Sequence, residues 1–321
     1  MENLIFNFNK KKIESKDETT LCAIINVTPD SFSDGGKYFG VEKAVNRAKE
    51  LIKDGAKMLD IGGESTRPGS SFVEIKDEIN RVCPVIKEIR KFTDIAISVD
   101  TWKAEVAKEA LNAGADIVND ITGFLGDKNM AKVVSKTKAG AILMFNPVIA
   151  RANHEGSKIF PKFSFENLDD LFKEYENLPI TQLMEKYFLK SLEIARKNNI
   201  SKDRIMLDPG IGFGLTKREN FILIKNLEKI HNMGYPIFLG VSRKRFITNI
   251  LQENGFNIDK ETTQGLANMD NASSNLSFFA SLNSVEAIRV HEIKPHLLAV
   301  KIAQSIKRAE KMENINFKSY N

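Results

Sequence analysis

Short runs of β-branched and other apolar residues alternate with longer stretches of helical period from about residue 21 to about residue 310. That alternation is the pattern of consecutive βα units on a parallel sheet. Eight strands are predicted, at 21–28, 57–62, 96–100, 116–120, 141–146, 204–208, 236–242 and 287–291. Between them, Ala44, Val45, Ala48, Leu51 and Ile52 share one helical face, as do Ala104, Ala107, Ala110 and Leu111. Gly55, Gly114, Gly140 and Gly234 each stand just before the next strand, where a left-handed cap would end the helix. Thr216 and Glu219 have capping-box spacing ahead of the apolar run 221–227. The pattern predicts a single-domain α/β protein, an eight-stranded (β/α)8 TIM barrel over 21–312, with a doubly wound open sheet as the competing arrangement. Residues 1–20 read as an N-terminal extension and 313–321 as a tail.

Two segments exceed the minimal repeat. Residues 147–179 separate the fifth strand from its helix and set Arg151, His154, Lys158 and Lys162 among Phe160, Phe163 and Phe165. That length fits either an ordered lid or binding loop, or a surface insertion. Residues 252–283 supply the helix after the seventh strand together with an extra helical element.

Composition narrows the class. A chain of 321 residues, 42% hydrophobic and 28% charged, can bury a large core, which excludes disorder. The longest apolar runs, 141–145 and 237–241, fall far short of the roughly 18 residues a membrane span needs. Lys10, Lys11 and Lys12 are not followed by an apolar stretch, so no secretory signal is expected and the cytoplasm is the default compartment. Cys22 and Cys83 lack metal-ligand spacing and read as reduced structural thiols. The net charge of +5 is dispersed, with no basic arm for nucleic acid, and it suits a small anionic ligand.

In a (β/α)8 barrel the chemistry sits at the carboxyl ends of the strands. The polar residues there are Asn26, Asp30, Asp60, Glu64, Asp100, Asn119, Asp120, Asn146, Asp208, Ser242, Lys244, Arg289 and His291. Any one of them could simply end a strand and cap the next helix. Asp100, Asn119 and Asp208, however, come from different strands and converge with Lys244. Carboxylates accept from a ring N–H and an exocyclic amine while Lys donates to a ring carbonyl or nitrogen, so the set suits a flat heterocycle with an amino-pyrimidine edge. Arg67, Arg289 and His291, with the amide of Asn26, suit an anion or a metal-assisted pyrophosphate at the rim. Arg245 opens a predicted helix, where its charge and the N-terminal dipole favour a carboxylate.

These residues also carry a family resemblance. Asn26-Val-Thr-Pro-Asp-Ser-Phe-Ser-Asp-Gly-Gly36 and Asp60-Ile-Gly-Gly-Glu-Ser-Thr-Arg-Pro-Gly69 resemble the first- and second-loop signatures of the dihydropteroate synthases. Ser98-Val-Asp-Thr101, Asn119-Asp120, Asp208-Pro-Gly-Ile-Gly-Phe-Gly214, Ser242-Arg-Lys244 and Arg289-Val-His291 resemble the remaining motifs in the same order. The resemblance implies a folate-pathway transferase that joins 6-hydroxymethyl-7,8-dihydropterin diphosphate to 4-aminobenzoate, with no covalent enzyme nucleophile. It implies Asp100, Asn119, Asp208, Lys244, Met144 and Phe213 around the pterin, and Asn26, Thr66, Arg67, Arg289 and His291 on the diphosphate, with Asn26 binding Mg²⁺. Phe32, Thr66, Pro68 and Arg245 would flank the aminobenzoate, and Asp30 or Asp34 would stand near developing positive charge, with Lys244 and Arg67 assisting.

The chain departs from the family in two places. Met144-Phe145-Asn146-Pro147 stands where the family reads Met-His-Met, and Thr263-Gln-Gly-Leu-Ala-Asn-Met-Asp-Asn-Ala272 replaces a small-residue helix that contributes to subunit contact. A homodimer through the last helices is therefore implied less directly. A non-catalytic pterin-binding paralogue and a pterin-dependent methyltransferase barrel are the alternatives. The loop at Thr66, Arg67 and Pro68 and the pair Arg289 and His291 favour the transferase over the methyltransferase, which needs no diphosphate site, and leave a barrel for another phosphorylated substrate as a further alternative. Both loop motifs argue against a non-catalytic binder, which needs no closing loop.

Overall fold

The computed structural model describes residues 3–16, 18–27, 37–66, 68–160 and 172–314. Eight parallel strands form the barrel: β3 (Thr20–Asn26), β4 (Met58–Gly62), β5 (Ala96–Asp100), β6 (Ile117–Asp120), β7 (Gly140–Met144), β8 (Ile205–Asp208), β9 (Phe238–Gly240) and β10 (Ala287–Val290). They follow the order β8-β7-β6-β5-β4-β3-β10-β9, and a bridge between Leu207 and Ile237 links β8 to β9 to close the ring. An antiparallel hairpin, β1 (Ile5–Phe8) and β2 (Lys11–Glu14), precedes them.

Strand parity explains the core. Successive side chains alternate faces, so residues two apart point the same way. Ala23, Ile25, Leu59, Ile61, Ile97, Val99, Val118, Leu143, Leu207, Leu239 and Ile288 turn outward and bury against the helices. Cys22, Met58, Ala96, Ile117, Ile142, Met206, Phe238 and Ala287 turn inward as an apolar layer. The N-terminal hairpin closes that layer from below with Phe6, Phe8 and Ile13. Residues 3–16 are thus part of the barrel core, a role their sequence did not announce. Asp116, at the entry to β6, pins the hairpin by accepting from Asn9 Nδ2 and Lys11 Nζ, both at 2.9 Å. Gly55, Gly114 and Gly234 do adopt left-handed backbone, with φ of 111°, 114° and 82°. Gly140 does not: it starts β7 facing inward, and a Cβ there would lie 2.6 Å from Phe6 Cζ. Its glycine makes room for the floor of the barrel.

After β9 comes the helix Arg245–Glu253, followed by a separate long helix, Thr263–Leu282. Ser273, Ser277 and Ser281 recur every fourth residue on one buried face of the latter. Ser277 and Ser281 bond to His296 and Gln304, a polar seam against the last helix, Lys294–Lys307, and Ser273 Oγ accepts from Arg243 N in the turn before Lys244.

His296 is fully buried, with Nδ1 2.7 Å from Ser277 Oγ and Nε2 without a hydrogen-bond partner among the described residues. Burial, reinforced by the positive charge of Arg243, pushes its pKa down from 6.5 to about 4. The unfolded chain therefore takes up this proton first, and stability present above pH 6.5 is lost as pH falls toward 4. Between pH 7 and pH 5 this linkage amounts to about 2 kcal/mol. His296→Gln, which cannot titrate, is expected to lose about 2 kcal/mol less than the wild type over that interval in urea unfolding.

Candidate active site

One inward layer above the apolar floor, the side chains become polar: Asp60, Ser98, Asn119, Asp208 and Arg289, with the thioether of Met144 among them. Asp60 is the hub. Its fully buried carboxylate accepts from Ser98 Oγ, from Asn119 Nδ2 at 3.2 Å and from Arg289 Nε at 2.5 Å. Arg289 also donates through Nη2 to Asp100 Oδ2 at 2.7 Å. Desolvation would weaken the guanidinium charge, but Asp60 and Asp100 outweigh it and keep the group ionised. Asp100 and Asp208 line the upper part of the cavity, and burial is the main cause that pushes their carboxyls up to about 7 and about 6. Asp208 Oδ1 accepts from Gly210 N at 2.7 Å, which fixes its plane.

The next residue along each strand faces the other way, and that separates site residues from caps. Asp120, beside Asn119, points outward and accepts from Thr122 N, Thr122 Oγ1 and Phe124 N. Asn146 caps a short helix, Pro147–Ala150, by accepting from Val148 N at 3.0 Å and donates to Ile121 O at 2.9 Å. Both are structural.

Lys244 is the N-cap residue of the helix Arg245–Glu253, and its Nζ lies 4.9 Å from the centroid of Phe213. Before it, Arg243 holds left-handed backbone at φ 54°. A bidentate pair with Asp270, 2.7 Å at both contacts, keeps it there. Asp270 lies within one of the two departures from the family pattern, so that segment supports the Lys244 turn. At the rim, Ser242 Oγ contacts His291 Nδ1 at 2.9 Å and joins the ends of β9 and β10. Arg245 and Asn26 are exposed at the same end of the barrel.

The second loop is clamped at its base. Glu64 Oε2 accepts from Val73 N and from Lys103 Nζ, both at 2.6 Å, and Oε1 accepts from Trp102 Nε1 at 2.7 Å. Lys103 reaches Glu78 at 2.6 Å and Val73 O at 2.7 Å as well. Burial pushes the Glu78 carboxyl up, against the pull of Lys103. This nearly solvent-free cluster ties Glu64 to Val73, with Thr66 partly exposed and Pro68 exposed between them. Sequence reasoning passed over Trp102 and Lys103; the signal was a Trp-Lys pair directly after the Asp100 strand end. Asp30, Phe32, Asp34 and Arg67 lie outside the described residues.

The arrangement is a polar well with carboxylates and an amide at its base, cations at two sides and an exposed amide at its rim. The description of the matching family is "Pterin binding enzyme", and the match runs over residues 22–291. The chain belongs to that family of barrel enzymes. Among its relatives are the dihydropteroate synthases of Clostridium beijerinckii, 42% identical over 74% of this chain and 79% of that protein, and of Bacillus subtilis, 44% identical over 74% of each. Among solved structures, the Clostridium difficile dihydropteroate synthase in the presence of pteroic acid superposes with a TM-score of 0.76 at 34% identity, covering 91% of this chain and 98% of that one. The Xanthomonas albilineans enzyme with 4-aminobenzoic acid gives 0.76 at 29% identity, covering 92% and 95%.

Proposed function

We propose that this chain is a dihydropteroate synthase, a transferase of folate biosynthesis. It condenses 6-hydroxymethyl-7,8-dihydropterin diphosphate with 4-aminobenzoate to give 7,8-dihydropteroate and pyrophosphate. The observation that carries this reading is the inward polar network above an apolar floor, in which Asn119 bonds to Asp60, Arg289 bonds to both Asp60 and Asp100, and Asp208 lies within reach of their charges.

In this reading Asp208 and Asn119 accept and donate along the pterin's pyrimidine edge, Asp100 faces the second ring, and Met144 and Phe213 cover the faces. Lys244 donates to the ring. The C–O bond to the diphosphate breaks with its electron pair leaving on pyrophosphate, the arylamine nitrogen forms the new C–N bond, and that nitrogen gives up a proton. The protein's task is to hold the two reactants in line and to receive the leaving charge. Arg67, Thr66, Arg289 and His291 would take the anionic oxygens, and Phe32, Pro68 and Arg245 the aminobenzoate. Asp30 or Asp34 would stand near the developing positive charge.

The donor set also fits Mg²⁺. Asn26 offers one exposed amide oxygen at the mouth, and no cluster of three His, Cys, Asp or Glu exists among the described residues. A cation that keeps most of its waters and is carried chiefly by substrate phosphates needs no more than that. When bound there it would neutralise part of the diphosphate charge. We place the protein in the cytoplasm, and no described helix is long and apolar enough to cross a membrane. A homodimer through the last helices belongs to the same proposal, supported by Leu298, Ile302 and Ile306, exposed on one face of the last helix.

The test is an assay of purified protein with Mg²⁺ and the pterin diphosphate, with and without 4-aminobenzoate, following pyrophosphate and dihydropteroate together. Dihydropteroate that appears only with 4-aminobenzoate is expected. Pterin binding without dihydropteroate would replace this reading with a non-catalytic pterin binder.

A further inference from the structure

The largest departure from the family pattern is built onto the site. Phe145 buries its ring edge-on to Tyr187 at 5.4 Å, which fixes the chain where it leaves β7. From there residues 145–160 run along the glycine-rich loop 209–214. A Cβ at Gly210 would collide with the Phe145 carbonyl, one at Gly156 would lie 2.7 Å from Gly214 O, and one at Gly214 would lie 3.1 Å from Ser157 Oγ. The two backbones therefore touch at Gly210 and Gly156, closer than a side chain would let them approach, while Gly214 packs against the side chains of Ser157 and Val148.

Two side chains lock this contact. Arg151 is 7% exposed and grips Glu219 with both ends of its fork, at 2.7 and 3.1 Å. Glu219 is also the third helical residue and closes the capping box that starts the helix Lys217–Lys225, so the pair ties the segment to the exit of the glycine loop. Phe160 stacks on Phe213, with centroids 5.8 Å apart and planes 25° from parallel. Phe213 is the same ring that Lys244 Nζ approaches at 4.9 Å.

We infer that residues 145–160 form a wall of the pterin pocket, in which Phe160 and Arg151 are positioning residues: they hold Phe213, and through it the Lys244 ammonium, ready for the pterin. The inference rests on the dihydropteroate synthase reading for the identity of the ligand. The physical ground is preorganisation. A half-exposed aromatic ring on a glycine loop has several rotamers available, and ordering it on binding would subtract from affinity. Stacking on Phe160 orders it beforehand. Among the described residues, these contacts of the segment run to the 209–214 loop, to Glu219 and to Tyr187, away from Thr66 and Pro68 where the arylamine would lie, so its effect should fall on the pterin.

The experiment compares wild type, Phe160→Ala, Phe160→Tyr and Arg151→Lys, reading KM for the pterin diphosphate and for 4-aminobenzoate together with the thermal midpoint. Phe160→Ala should raise the pterin KM roughly 3- to 10-fold and leave the aminobenzoate KM unchanged, by the usual worth of one immobilised side chain. Phe160→Tyr should restore the wild-type value, and Arg151→Lys should shift the pterin KM in the same direction as Phe160→Ala. Equal changes in both KM values, or a lowered midpoint with both KM values intact, would overturn the inference and leave the segment a structural brace. Should the wild type form no dihydropteroate, the functional reading fails on its own. The same variants are then titrated with 6-hydroxymethylpterin by fluorescence quenching: weaker binding by Phe160→Ala upholds the inference, and equal binding rejects it.

Discussion

Replacing Asp60 by alanine is expected to remove about 3–5 kcal/mol of folding stability and to abolish most turnover in the protein that remains folded. Asp60 occupies no part of the pocket surface, yet three partners depend on its carboxylate: Ser98, Asn119 and Arg289. Without it, among the described residues the Arg289 guanidinium keeps Asp100 alone as an ion-pair partner, and the Asn119 amide loses its bond to Asp60. A buried charge stripped of its partner is far more expensive than the pair was worth, and the loss is a large share of the ~5–15 kcal/mol that a domain has in all. Asp60→Asn keeps the size and one acceptor, so its penalty should be smaller, about 1–3 kcal/mol. Urea unfolding and pyrophosphate release check the pair of variants. Full stability with no turnover would mean that Asp60 meets the substrate itself and is not the support for Asn119 and Arg289.

Asp208→Asn and Lys244→Ala are expected to weaken pterin binding roughly 10- to 100-fold, the usual worth of a hydrogen bond to a charged group. The effect carries a pH signature. Burial first, with Asp60 adding to it, raises Asp208 from 3.8 to about 6, and raises Asp100 to about 7 against the opposing pull of Arg289. A carboxylate accepts from both a ring N–H and an amine only when ionised. Wild-type affinity should therefore be full near pH 8 and fall as the pH drops through 7 and 6, well above the ordinary carboxylate range. Binding near pH 6.5 should release protons, visible in calorimetry as an enthalpy that depends on the buffer. Asp208→Asn should lose the lower part of that pH dependence. Fluorescence titration with 6-hydroxymethylpterin from pH 5 to 8 measures all three proteins, and unaltered affinity in both variants would take Asp208 and Lys244 out of the pocket.

Much of the architecture was legible along the chain because it is local. Each barrel strand is a run of apolar residues facing helices on one side and the barrel interior on the other, and each is followed by an amphipathic helix. The eight predicted segments coincide with β3 to β10, with ends displaced by one or two residues. The capping box at Thr216 and Glu219 is equally local, and both of its reciprocal bonds form. Asp100, Asn119 and Asp208 could be singled out because a strand end fixes where a side chain emerges.

What the sequence left open depends on residues distant in the chain. The hairpin of residues 3–16 reads as a polar, lysine-rich start, since its three inward apolar residues acquire meaning only when a barrel floor exists to receive them. Gly140 shares its place in the sequence with three helix caps, but the Phe6 ring, more than a hundred residues away, gives it a different task. Asp60 and Asp120 look alike on paper as strand-end carboxylates. Strand parity turns one into the hub of the pocket and the other into a cap. The 147–179 segment reads as an ordered lid or binding loop, or as a surface insertion, and its residues 161–171 lie outside the described residues. The contacts of Arg151 with Glu219 and of Phe160 with Phe213, some fifty to seventy residues later, are not visible in the local pattern. Hydrophobic period and turn chemistry, which act over a few residues, determined the elements and their order. Which polar groups share a charge, a proton or a substrate is decided by long-range pairing inside a low-dielectric barrel, and only the tertiary structure sets those distances.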